Sequence, residues 1–159
     1  EKTKSGIIFS ANIPTEEVFT LPHKYGINGT ISSTFPLQYA GNTIDEFTLT
    51  FKDGKITDFS AEKGYEILRD LISLDEGASY LGEVAIVPID SPIYQSKTIF
   101  CNTLYDENAS CHFAIGSAYP NTITNGESFS SEEKEMHGVN DSITHVDFMV
   151  GDHNLSITG

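Results

Sequence analysis

Apolar and polar positions alternate most regularly at Phe47, Leu49 and Phe51. Lys52-Asp53-Gly54-Lys55 follows, and then Ile56 and Phe59. An Asp-Gly pair between two such runs predicts a tight β-hairpin. The period then changes. Ala61, Tyr65, Leu68 and Ile72 fall at spacings of four, three and four, with Leu71 beside them, which predicts a helix. Ser60 is its expected N-cap, and Gly77 lies beyond its end. Ser130-x-x-Glu133 predicts a second, short helix opened by a capping box. Val84 to Val87 (ended by Pro88), Thr98 to Cys101 and Ile143 to Val150 read as strands. The small and apolar stretch from His112 to Tyr119 reads as a candidate helix. Irregular alternation around one strong hairpin predicts an α+β fold. Its sheet is expected to be mixed and largely antiparallel, with barrel-like closure as a variant, and with a few helices. No internal repeat or low-complexity linker interrupts residues 1–159, so they read as a single domain.

Composition narrows the partners. Hydrophobic residues make up 38% of the chain, enough for a core and too many for a disordered acidic tail. Nine Lys and Arg against 23 Asp and Glu give a net charge of −14. A chain so acidic is not expected to bind nucleic acid or an anionic membrane, which require a basic face. Cations, peptides and neutral ligands stay open. No stretch approaches the roughly 20 apolar residues of a membrane span. The chain opens on Glu1 and soon reaches apolar Ile7, Ile8 and Phe9, and so reads as cut from something longer. Cys101 and Cys111 are expected to be small buried packing groups rather than a disulfide framework. Asn28, Asn108, Asn140 and Asn154 match the glycosylation pattern; with no signal segment in view, chance matching is the simpler reading.

No phosphate-cradling glycine loop, nucleophile elbow or Cys-x-x-Cys occurs. What remains is a scatter of histidines and carboxylates in apolar surroundings. In Thr144-His145-Val146-Asp147-Phe148-Met149, strand alternation puts His145 and Asp147 on one face and Val146 and Phe148 on the other. An imidazole and a carboxylate projecting together suit a divalent metal, or else form a plain hydrogen-bonded pair. His112 lies among small and apolar neighbours, as a satisfied core histidine would. Glu83 enters the apolar run Val84-Ala85-Ile86-Val87. It must point to solvent or be held by a cation, because an unpaired buried carboxylate is costly. Glu16 and Glu17 follow Pro14-Thr15 and precede Val18-Phe19, where a solvated acidic helix or turn start is the plain alternative to a ligand. A mixed His/carboxylate set without thiolate suits zinc, cobalt or manganese in a hydrolytic site, provided the residues converge.

Longer blocks carry a more specific signal. Pro14-Thr15-Glu16-Glu17-Val18-Phe19-Thr20, Leu81-Gly82-Glu83-Val84-Ala85, Asp106-Glu107-Asn108-Ala109-Ser110-Cys111-His112 and Thr144 to Gly151 stand in this order along the chain. Ala61-Glu62-Lys63-Gly64 and Asp75-Glu76-Gly77 add to them. Together they resemble the thermophilic-type metallo-aminopeptidases, the aminopeptidase T, aminopeptidase S and PepS group, over almost the whole chain. The resemblance implies a site of two divalent metal ions, zinc or cobalt first and manganese or magnesium next. Its ligands would be Glu17, Glu83, His112, His145 and Asp147, with Glu83 bridging. Glu17 is preferred over Glu16 by alignment register. Tyr119, in Gly116-Ser117-Ala118-Tyr119-Pro120, would be the catalytic tyrosine.

The implied reaction removes the first residue of a peptide with a free N-terminus, through water activated between the two ions. The family's enzymes are longer, so residues 1–159 resemble the C-terminal, metal-binding domain without its N-terminal partner. A cytoplasmic location and a homodimeric full-length enzyme are implied with it. A metal-free acidic binding or assembly domain is the alternative from another class, and a secreted β-rich module is the third. His23 is a further pocket candidate, while His137 and His153 are expected on solvated turns.

Overall fold

A computed structural model describes residues 2–3, 5–10 and 16–158. Pro14 and Thr15 of the first motif block lie outside the described residues. The predicted hairpin is present as β4 (Asn42–Lys52) and β5 (Lys55–Lys63), antiparallel. Its turn uses Asp53 at φ 49° and Gly54 at φ 81°, the positive values a two-residue hairpin turn requires. A Cβ on Gly54 would lie 1.7 Å from the Lys24 carbonyl oxygen, so this turn can pack against the preceding loop only as glycine. Strands β2 (Gly29–Ser32) and β3 (Leu37–Tyr39) also pair antiparallel with β4.

A second sheet carries the candidate site residues Glu83, His112, His145 and Asp147. It contains β1 (Val18–Thr20), β6 (Leu81–Ile86), β7 (His112–Gly116) and β8 (His145–Met149), adjacent in that order and all antiparallel. One core joins the two sheets and α1 (Tyr65–Ile72). Leu37, Phe47 and Leu49 of one sheet share it with Leu81, Ile115 and Phe148 of the other and Leu68 and Leu71 of the helix. The Phe47 and Phe148 rings meet at 5.4 Å. Each side chain of this size stabilises the fold by roughly 1.5–3 kcal/mol when fully buried. The fold is thus α+β with antiparallel sheets, and neither sheet closes into a barrel among the described residues.

Several local expectations are corrected. Ser60 and Ala61 belong to β5, and the helix starts only after Gly64. The stretch after His112 is strand β7, not helix. Thr98 to Cys101 forms no strand; it is a loop whose Phe100 and Asn102 amides donate to the buried Asp106 carboxylate. Cys101 is exposed and Cys111 half-buried, and both are free, so only Cys111 serves as a packing group. The capping box at Ser130 and Glu133 is present and opens α2 (Ser131–Met136). Asn108 and Asn140 are 0% and 1% exposed, so neither is accessible as a glycosylation acceptor in the folded chain. No helix among the described residues is long and apolar enough to cross a membrane.

Candidate metal centre

The site face of the second sheet is created by a bulge. Leu81 pairs with Ile115, but Glu83 pairs with Ala114, so Gly82 is the extra residue. Leu81 and Glu83 would share a face in a regular strand. Here Leu81 joins the core while Glu83 turns to the opposite side, the kind of re-aiming that bulges achieve beside functional sites. A Cβ on Gly82 would stand 2.3 Å from the Ser117 carbonyl oxygen, so the bulge is closed tightly against the following chain.

Cross-strand pairing brings the other groups to the same face. Ala114 sits between Glu83 on β6 and Asp147 on β8, and Gly116 is opposite His145. These small residues leave the space that the carboxylates and the ring occupy. His112 pairs with Ala85, which pairs with Phe19 of β1. Glu17 lies two residues before Phe19, just ahead of the strand, and its carboxylate reaches the same face, 2.9 Å from His112 Nε2. As predicted, Val146 and Phe148 face away and are buried.

The ligating atoms form two groups sharing one member. Glu17, Glu83 and His112 make the first, and Glu83, His145 and Asp147 the second; within each, the atoms lie within 4.8 Å of one another. Glu83 Oε1 is 3.5 Å from His112 Nε2, and its Oε2 is 3.5 Å from His145 Nε2. His112 Nε2 is 2.9 Å from Glu17 Oε2, and His145 Nε2 is 3.2 Å from Asp147 Oδ1. Two atoms bound about 2.1 Å from one ion at a tetrahedral angle would stand about 3.4 Å apart, so this spacing fits coordination.

Hydrogen bonding gives a second test. His112 Nδ1 lies 2.9 Å from the Ser110 carbonyl oxygen, and His145 Nδ1 lies 2.7 Å from that of Ser117. A carbonyl only accepts, so each Nδ1 donates, and Nε2 is left as the atom that takes a proton or a cation between the carboxylates. This is the outer-shell arrangement that orients metal-binding histidines. Despite their short contacts, Glu17 Oε2, His112 Nε2 and Asp147 Oδ1 are buried with no aligned hydrogen bond. Close contact without alignment is what atoms aimed at a shared third atom show. The residues present therefore fit a divalent cation in each group.

Without metal, protons take its place. Burial opposes a charged His112, but the Glu17 and Glu83 carboxylates and the Ser110 carbonyl overcome it and push its pKa up to about 10. Burial likewise opposes a charged His145, and Asp147, Ser117 and Glu83 push it up to about 9. Glu107, in the block from Asp106 to His112, carries no sequence signal of its own. It is buried beside the site, and burial plus the charges of Asp147, Glu17 and Glu83 push its carboxyl up to about 8. Nothing in its sequence neighbourhood separates it from Asp106, which caps a loop.

Glu83 and Asp147 are 5% and 6% exposed, which removes the reading of Glu83 as a solvent-facing carboxylate. The groups open onto a cavity of about 940 Å³, walled by Phe19, Tyr39, Leu104, Glu107, Tyr119 and Ile143 among others. Tyr119 is half exposed, with its ring 4.6 Å from that of His145. Burial and the nearby carboxylates raise its pKa, so the phenol keeps its proton at neutral pH. Glu16 does not join either group; its amide donates to Asn108 Oδ1. His23 is exposed and not part of the cavity wall. His137 and His153 are exposed, as expected of solvated turns.

The chain belongs to the thermophilic metalloprotease (M29) family, whose model matches residues 1–159. It is 60% identical over 157 residues to aminopeptidase 2 of Geobacillus stearothermophilus, covering 99% of this chain and 38% of that protein. It is 59% identical over 156 residues to aminopeptidase AmpS of Bacillus subtilis, covering 98% of this chain and 38% of that one. Among solved structures, wild-type AmpT from Thermus thermophilus matches with a TM-score of 0.87 and 42% identity, covering 96% of this chain and 37% of that chain. The chain thus spans well under half the length of these relatives.

Proposed function

We propose that residues 1–159 form the metal-binding catalytic domain of a longer aminopeptidase, which removes the first residue of peptides with a free N-terminus. Two divalent ions, zinc or cobalt, would be held by Glu17, Glu83 and His112 and by Glu83, His145 and Asp147. The observation that carries this reading is the placement of Glu83, whose two oxygens each face a different histidine. Such a pair of ions supplies a nucleophile from water at neutral pH and polarises the scissile carbonyl.

The chain's own groups do the rest. The cavity receives the N-terminal residue against Phe19, Leu104 and Ile143. Tyr119, still protonated, donates a hydrogen bond to the oxygen that gains charge as the carbonyl is attacked. Glu107 adds a further carboxylate facing both groups and balances positive charge brought into the site. Ser110 and Ser117 hold the imidazoles in the tautomer that leaves Nε2 free to ligate. The homodimer and the cytoplasmic location belong to the same reading of the full-length enzyme.

The test compares a short peptide with its N-acetylated copy. Protein loaded with cobalt or zinc should release the first residue of the free peptide and leave the acetylated one intact. Equal cleavage of both, or cleavage at internal bonds, would exclude an aminopeptidase.

A further inference from the structure

Glu17 stands one residue ahead of a three-residue edge strand that pairs on one side only, with β6. Strand pairing begins at Val18, so the ladder does not fix the backbone of residues 16 and 17. A side-chain clamp does so instead. The Glu16 amide donates to Asn108 Oδ1 at 2.8 Å, bridging 92 residues of sequence.

Asn108 is built to hold that position. It is fully buried in the 3₁₀ turn Glu107–Ala109. Its Nδ2 donates to the Leu104 carbonyl oxygen at 3.1 Å, and its own carbonyl oxygen accepts from Ser91 Oγ at 2.7 Å. The Glu16 and Leu104 contacts settle the orientation of the side-chain amide, while Ser91 holds the backbone. A flipped group would set NH₂ against the Glu16 N–H and oxygen against the Leu104 carbonyl. The turn is also four residues from His112, the other terminal member of the first group. One rigid piece of chain thereby positions both Glu17 and His112. Asp147 and His145 of the second group make no hydrogen bond to Asn108, although the Glu107–Ala109 turn also lies against β8; they are placed by the β7–β8 ladder and by the Ser117 carbonyl.

We propose that Asn108 is a positioning residue for the first cation group alone: by holding the Glu16 amide it sets the affinity of the Glu17–Glu83–His112 group and leaves the Glu83–His145–Asp147 group unaffected. The inference rests on the two-ion reading above, and the experiment separates the failure of one from the failure of the other. Loss of an outer-shell partner costs about 10- to 100-fold in metal affinity.

The experiment titrates metal-stripped protein with cobalt and follows stoichiometry, affinity and the visible absorption of the bound ion. Glu17→Ala calibrates it and should leave one strong ion of the two; if it keeps both at unchanged affinity, the two-ion reading fails and Asn108 is not the cause. Asn108→Ala should weaken one ion by about 10- to 100-fold and spare the other. Asn108→Ser should do the same, since its hydroxyl is too short to reach the Glu16 amide but can still donate near Leu104. Asn108→Asp keeps an oxygen facing the Glu16 amide and should retain both ions more tightly than the Ala variant. Equal weakening of both ions, unchanged affinity for both, or failure of both the Ala and Ser variants to fold would overturn the assignment.

Discussion

Leu81 and Glu83 are separated by a single residue of β6, yet they lie on opposite faces of the sheet. The bulge at Gly82 makes this possible, and it decides whether Glu83 reaches the histidines at all. A Gly82→Ala substitution would place a methyl group 2.3 Å and 2.4 Å from the Ser117 and Gly116 carbonyl oxygens. We expect it to destabilise the fold by about 1–3 kcal/mol, as overpacking does. It should also weaken both ions, because Glu83 is common to both groups. Chemical denaturation and cobalt titration check the two effects. Native stability with unaltered metal binding would mean that the bulge does not aim Glu83.

Tyr119 is half exposed and contributes little to the core, so Tyr119→Phe should leave stability and metal content unchanged. If its hydroxyl stabilises the developing oxyanion, kcat should fall by about 10²–10³ with little change in KM. A loss confined to KM would make Tyr119 part of the binding wall instead.

The proton load of the metal-free site fixes a pH trend. His112 and His145 are raised to about 10 and about 9. A raised histidine contributes stability that is complete below its unfolded pKa of about 6.5 and lost as pH climbs through the folded value. Glu107, raised to about 8, acts in the same direction, since its ionisation costs the folded state more than the unfolded one. The Tm of chelated protein should therefore fall steadily from pH 6 to pH 10. Metal reverses this, because it displaces those protons and binds more tightly as pH rises. A Tm in chelator that rises over the same interval would contradict the proton assignment.

Much of this architecture is legible in the sequence where the signal is local. The hairpin through Asp53-Gly54 and the capping box at Ser130 depend on residues that touch one another along the chain. The start of α1 does not. Ala61 happens to satisfy the helical spacing of Tyr65, Leu68 and Ile72 while also alternating with Phe59 in β5, and pairing with Phe47 decides in favour of the strand. His112 to Gly116 hides its strand character for a functional reason. Ala114 and Gly116 are small because Glu83, Asp147 and His145 need the room beside them, which leaves Phe113 and Ile115 as the strand's only strong β-formers. Only His145 and Asp147 are close enough in sequence for spacing to pair them. Glu17, Glu83 and His112 come from three separate strands or their margins, so only the family motifs could group them in advance. The clamp from Asn108 to Glu16 spans 92 residues of sequence and leaves no local signal for the same reason.

The central claim is that Glu83 joins two cation groups, and the direct measurement is metal content after loading with cobalt or zinc and removal of free ion. Wild-type protein should hold two ions per chain, and Glu83→Ala, which removes the shared ligand, should hold neither. Fewer than one ion per chain in the wild type, or two ions retained by Glu83→Ala, would contradict the account.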